Sequence, residues 1–161
     1  MLGSTMRAPL LLFALTLAGC GHAQPPVTVS RPPPDCIDCA IAIVLDDDMG
    51  SGFRLERVEA RLDGAVVYSR LDPDHLYEAK SLDLARVTVS SGRHTVDVNL
   101  TFHGWGYGVF SYLRAYKFKV ASTYELWPRR GLVLHVRAFE KGGPTRPLDE
   151  RPGLRFESLI E

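Results

Sequence analysis

The chain predicts an all-β fold, a single antiparallel two-sheet sandwich of about seven strands occupying residues 40–161. Three observations predict it. From Ala40 onward apolar residues recur with a period of two rather than 3.6. The apolar runs are short, and glycine-containing turn signals separate them at regular spacing. No run has the length and period of a long amphipathic helix.

Ala40 to Leu45 reads as the first strand. Phe53 to Leu62 changes phase midway: Phe53 and Leu55 share one parity, and Val58, Ala60 and Leu62 the other. A strand with a bulge near Glu56-Arg57 accommodates this. A short helix is the rival reading, because Leu55, Val58 and Leu62 also fit helical spacing. Asp63-Gly64 is a hairpin turn signal, since such turns need positive φ and glycine supplies it without strain. Ala65 to Tyr68 and Leu84 to Val89 give shorter strands, followed by a break at Ser90-Ser91-Gly92.

The clearest alternation comes next. His94, Val96, Val98, Leu100 and Phe102 alternate with Thr95, Asp97, Asn99 and Thr101, the pattern of a half-buried strand. Tyr112 to Val120 reads as a strand with Tyr112, Tyr116, Phe118 and Val120 on one face and Lys117 and Lys119 on the other. After the break at Pro128 to Gly131, Leu132, Leu134, Val136 and Ala138 alternate with Val133, His135, Arg137 and Phe139. Leu154 to Phe156 supplies the last strand.

Composition narrows the function classes. With 161 residues the chain holds one domain and some extra length. Its 19 basic and 19 acidic residues exclude a nucleic-acid binder that works by bulk charge. Its 14 glycines and 11 prolines are too few for a collagen-like or wholly disordered chain.

The first 19 residues read as an address rather than as fold. Arg7 gives a positive flank, and Ala8 to Ala18 is an almost unbroken apolar run of 11 residues. That is too short to span a bilayer, which takes about 20 residues, but matches the core of a signal peptide. Met6-Arg7-Ala8 would open a compact signal by itself. Leu17-Ala18-Gly19-Cys20 resembles the lipobox of bacterial lipoproteins, whose signal is cut just before the cysteine. The resemblance implies a lipidated Cys20 at the mature N-terminus, with a diacylglycerol that holds stably in a membrane. Gly21, not aspartate, follows it, which by the same resemblance implies the outer membrane of a diderm bacterium.

Residues 20–39 then form a tether. Gly21 to Asp35 holds five prolines in fifteen residues. Such a segment favours extended polyproline II, with a reach on the order of 45 Å. It ends in Cys36-Ile37-Asp38-Cys39. A thioredoxin-like site needs a helix after the motif, and strand residues follow here. Haem attachment needs histidine at position 40, which is alanine, and a structural zinc site needs four ligands. In an oxidising compartment the default is a Cys36–Cys39 disulfide that stiffens the junction. A redox or metal role for the pair, or free thiols, are the alternatives.

The stretch from Leu62-Asp63-Gly64 to Gly92-Arg93-His94-Thr95-Val96 resembles PEGA and carboxypeptidase-regulatory-like sandwich modules, which share a "Leu-x-Gly … Gly-x-His-x-Val" rhythm. It covers about 40 residues, and the PEGA tetrapeptide itself is absent. The resemblance implies an Ig-like sandwich acting as a non-catalytic surface module.

Motifs for chemistry are sparse. Gly50-Ser51-Gly52 lacks the spacing of a nucleophile elbow. A calcium loop counted from Asp46 would need glycine and glutamate where Ser51 and Arg57 stand, so Asp46-Asp47-Asp48 is expected to be a solvated loop, with a weak calcium site as the alternative. No two of the five histidines have the close spacing of a zinc pair, and His94 is expected to be a satisfied strand residue. No catalytic residue, metal or cofactor is assigned. The candidate ligand-binding loop is His103-Gly104-Trp105-Gly106-Tyr107. Its glycines would let Trp105 and Tyr107 lie across a surface and stack on a glycan or an envelope protein. The competing reading has the rings plug the end of the sandwich. A lipid-anchored binding or scaffolding module is the resulting expectation. The alternatives are a periplasmic enzyme using a carboxylate with His103, or a redox or metal protein using Cys36 and Cys39.

Overall fold

A computed structural model describes residues 36–106, 108–142 and 145–160. The expected signal segment, Cys20, the expected proline-rich tether from Gly21 to Asp35 and Tyr107 lie outside the described residues. Eight strands are present among those described: β1 (Asp38–Asp48), β2 (Phe53–Leu62), β3 (Ala65–Leu71), β4 (Ser81–Ser90), β5 (His94–Gly104), β6 (Lys117–Leu126), β7 (Leu132–Glu140) and β8 (Pro152–Ile160). They form two four-stranded sheets, ordered β4-β1-β7-β8 and β3-β2-β5-β6. Short 3₁₀ segments at Leu76–Glu78, Gly108–Ala115 and Leu148–Glu150 fill three connections. The predicted all-β sandwich is therefore the observed one.

The two central pairs supply the core. Ile41, Ile43 and Leu45 of β1 and Leu132, Leu134, Val136 and Ala138 of β7 point inward from one sheet. Val58, Ala60, Val96, Val98, Leu100 and Phe102 meet them from the other. Alternate residues such as Glu59, Asn99 and Thr101 stay on the outer face, as period two requires. One pairing was not legible in the alternation: β1 runs parallel to β7, Ile43 beside Leu134. Alternation fixes which face a residue takes, not the direction of the neighbouring strand.

Two local devices match the residues that predict them. The register of β2 against β5 shifts between Leu55 and Arg57, so Glu56 is a bulge and the helical reading of this segment falls. Asp63 (φ 51°) and Gly64 (φ 81°) join β2 to β3 with positive φ at both positions, the signature of a type I′ hairpin.

Two expectations are corrected. Tyr112 to Tyr116 is not strand: residues 108–115 are 3₁₀ and β6 starts at Lys117, leaving both tyrosines exposed. A four-residue step fits one helical turn as well as two strand repeats, and hydrogen bonds from Gly104 N to Tyr116 O (3.0 Å) and from Tyr116 N to Leu113 O (3.0 Å) fold the segment back on itself. Asp46-Asp47-Asp48 is not a solvated loop but the end of β1. Asp46 points outward to Ser81 Oγ (2.9 Å) and His135 Nδ1 (2.8 Å). Asp47 points inward, 5% exposed, and accepts the Met49 N–H at 3.0 Å.

Candidate functional site

The end of the sandwich where β1 turns into β2 and β5 ends is open. Four connections meet there: residues 49–52, the Leu76–Glu78 turn, the Gly104–Ala115 segment and the connection from β7 to β8. Gly104 must be glycine, because a Cβ would run into the backbone carbonyl of Leu113. Gly50 is confined less firmly, its missing Cβ facing the movable end of the Glu140 side chain, whose carboxylate accepts the Gly50 N–H at 2.9 Å. Trp105 is fixed by its backbone, whose N–H donates to Gly52 O at 2.8 Å.

The indole of Trp105 is half-buried and carries cations on its ring. The Arg54 guanidinium carbon lies 3.4 Å from the ring centroid and that of Arg114 lies 4.4 Å away. Arg54 also stacks on Tyr77 at 4.1 Å, and Arg114 Nε donates to Gly106 O at 3.1 Å. His103 meets Trp105 edge-on, 5.9 Å between centroids. Guanidinium groups at these distances are held by the ring quadrupole, and they take up stacking surface that a sugar would need. Trp105 thus serves as a braced wall.

That wall divides two hollows. The larger is a cleft of about 740 Å³, floored by Phe53, Phe118, Leu113 and Leu148, with Glu140 and Arg151 at its polar side. Its size falls within the roughly 300–1,000 Å³ of small-molecule pockets. The smaller, about 290 Å³, lies between Trp105, Arg54, Tyr77, Lys80 and Asp47. Burial raises the pKa of Asp47, opposed by the Met49 hydrogen bond and the charge of Lys80. The bulged Glu56 is buried beside this end and takes Lys117 Nζ at 2.6 Å.

The other singled-out residues lie elsewhere. His94 is at the far end, its Nδ1 2.6 Å from Asp63 Oδ2 and its Nε2 3.0 Å from Ser90 O, a satisfied strand histidine. Cys36 and Cys39 sit at disulfide distance where the chain enters β1, with Cα atoms 5.6 Å apart and Cys39 in the core. Among the described residues no three His, Cys, Asp or Glu side chains group as a metal site would need. His103 and Trp105 come together; Tyr107 lies outside the described residues.

Sequence reasoning missed Arg54, Arg114 and the apolar floor. Arg54 is an ordinary outward strand residue by parity, and nothing local marks it as the partner of a tryptophan 51 positions later. Phe53 and Phe118, 5.1 Å apart in an edge-to-face pair, are legible as core but not as a floor. Comparisons with protein-family models, with curated proteins and with solved structures yield no match to this chain.

Proposed function

We propose that this protein is a lipid-anchored module of the cell envelope that binds or scaffolds a partner and does not transform it. Acylation at Cys20 and the proline-rich tether give the anchor, placed in the outer membrane of a diderm bacterium. The sandwich carries the binding site. The observation that supports this reading best is the 740 Å³ cleft walled by Trp105, which opens at the end of the sandwich away from Cys36. With strands rising about 3.3 Å per residue, the 11 residues of β1 hold that cleft roughly 35 Å from the tether junction. A site at the end remote from the chain's entry at Cys36 is open to an envelope protein or glycan. The carboxylates around it suit a structural role: Asp47, Glu140 and Glu56 are each engaged by a backbone N–H or a lysine.

A photo-crosslinking residue at Ser51, on the cleft rim, tests the reading in the full chain produced in a diderm host. An adduct with an envelope component is expected, lost with Trp105→Ala and with Cys20→Ser. An unacylated chain outside the membrane fraction, or no adduct that depends on Trp105, would overturn it.

A further inference from the structure

The opposite end of the sandwich, where the chain enters from residue 35, gathers large apolar side chains that the core leaves outside. Ile37 is 84% exposed, Ile160 60%, Leu159 44% and Trp127 41%. Scattered exposed apolar residues are ordinary, but four at one end of a small domain form a patch. The sheet register brings Leu159 and Ile160 to this end, and the chain's path brings Ile37 and Trp127. Ile41, Leu132 and Ile160 share one row of the first sheet, Val133 and Leu159 sit beside them, and Ser91 N donates to Ile37 O at 2.8 Å just beyond. From the other sheet Trp127 follows Leu126 and lines a hollow of about 280 Å³ with Arg129 and Ile160.

Charge at this end is uneven. Glu125 is paired with Arg93 and Asp63 with His94. Arg129 and Arg130 are exposed beside Trp127, Asp38 stands at the start of β1, and Glu157 is exposed two residues before Leu159.

We propose that this end is a lipid-docking surface: Trp127, Ile37 and Ile160 lie in the headgroup–acyl boundary of the bilayer that holds the anchor, with Arg129 and Arg130 over anionic headgroups. The proposal rests on the acylation of Cys20 argued above. Fifteen residues lie between Cys20 and Cys36, so the tether keeps this end within about 45 Å of the membrane as polyproline II and about 55 Å when fully extended. That confinement raises the effective concentration of lipid at the surface, so a weak interfacial preference suffices. Indole favours the membrane–water boundary, where its body is apolar and its N–H stays wet. Arginines beside it are drawn to anionic lipid. A second copy of the chain would have no comparable tether holding it to this face. Docking in this way also orients the cleft away from the bilayer.

The test uses the acylated full chain in phosphatidylethanolamine–phosphatidylglycerol vesicles, with or without bromine on the acyl chains. Brominated lipid should quench tryptophan emission, and Trp127→Phe should abolish that quenching. Joint replacement Arg129→Glu and Arg130→Glu should weaken it and remove its dependence on salt. Equal emission in brominated and plain vesicles overturns the proposal, as does quenching that survives Trp127→Phe. Shielding of Trp127 from acrylamide that grows with protein concentration in detergent would assign the face to a second copy and also overturn it. Mass spectrometry of the same sample separates the two readings. A chain without acyl on Cys20 refutes the anchor, while quenching of that chain on added vesicles still decides the surface.

Discussion

The Asp63 carboxylate lies 2.6 Å from Nδ1 of His94, tying the β2–β3 turn to the first residue of β5. Its other oxygen accepts the Thr95 N–H at 2.9 Å, and His94 Nε2 faces the Ser90 carbonyl at 3.0 Å. Both ring nitrogens therefore face groups that only accept, an arrangement fully satisfied when His94 is protonated. The hydrogen bond to Asp63 raises the His94 pKa, and the same contact lowers that of Asp63. Leu62, Gly64, Gly92, His94 and Val96, the residues of the "Leu-x-Gly … Gly-x-His-x-Val" rhythm, surround this junction.

Stability should consequently fall as pH rises past neutrality. A raised histidine pKa contributes stability that is complete below its ordinary value of about 6.5 and is lost as pH climbs through the folded value. The lowered Asp63 contribution is present above the ordinary carboxylate range and disappears on acidification through its folded value. The pair is thus strongest between about pH 4 and 6.5. Because Asp63 is half exposed, the loss by pH 9 should be no more than roughly 1 kcal/mol. Urea curves at pH 6 and 9 for wild type and His94→Gln check this. A pH response that is unchanged in the variant would remove His94 as its source.

Trp105→Ala should destabilise by about 1–2 kcal/mol, between a free surface ring and a core plug. The ring is half-buried but holds Arg54 and Arg114 in place, and its removal releases both. Urea denaturation measures the cost. A loss above about 3 kcal/mol would mark Trp105 as a core plug instead.

Gly104→Ala should cost about 1–3 kcal/mol, since the new Cβ meets the rigid carbonyl of Leu113 rather than a side chain that could swing aside. Gly52→Ala is the matched control: it lines the same cleft, has nothing within 4 Å of its Cβ position and should be close to neutral. Equal melting temperatures for the two variants would show that the Gly104–Ala115 segment is not held where the structure puts it.

What the sequence made legible follows from which interactions are local. The alternation of β5 is a property of consecutive residues, and so are the Asp63-Gly64 turn and the change of parity at Glu56. Tyr112 to Tyr116 failed because its four-residue step belongs to two periods at once. Asp46 and Asp47 failed for another reason: their partners Ser81, His135 and the Met49 N–H make strand end and buried carboxylate tolerable, and two of those lie 35 and 89 residues away. The cleft is less legible still. Trp105 and its glycines were conspicuous, but Arg54, Phe118, Glu140 and Leu148 reach it only through sheet register and loop return.

Asp47→Asn should stabilise the protein at pH 8 and leave it unchanged at pH 3. Asp47 is 5% exposed, and its burial raises its pKa despite the Met49 hydrogen bond and the charge of Lys80. A carboxyl whose folded pKa is raised favours folding while protonated, and that advantage is lost as pH rises through the folded value. Above it the chain carries the cost of a buried charge at all higher pH. Asparagine keeps an oxygen to accept the Met49 N–H and has no charge to desolvate. The gain at pH 8 should be roughly 1 kcal/mol, or about 3–5 °C in Tm for a domain of this size. Asp47→Ala separates the charge from the hydrogen bond, because it leaves the Met49 N–H without its acceptor and should cost about 1–2 kcal/mol at acid pH. If Asn proves destabilising at pH 8, the ionised carboxylate is favoured where it stands, and the attraction of Lys80 outweighs burial.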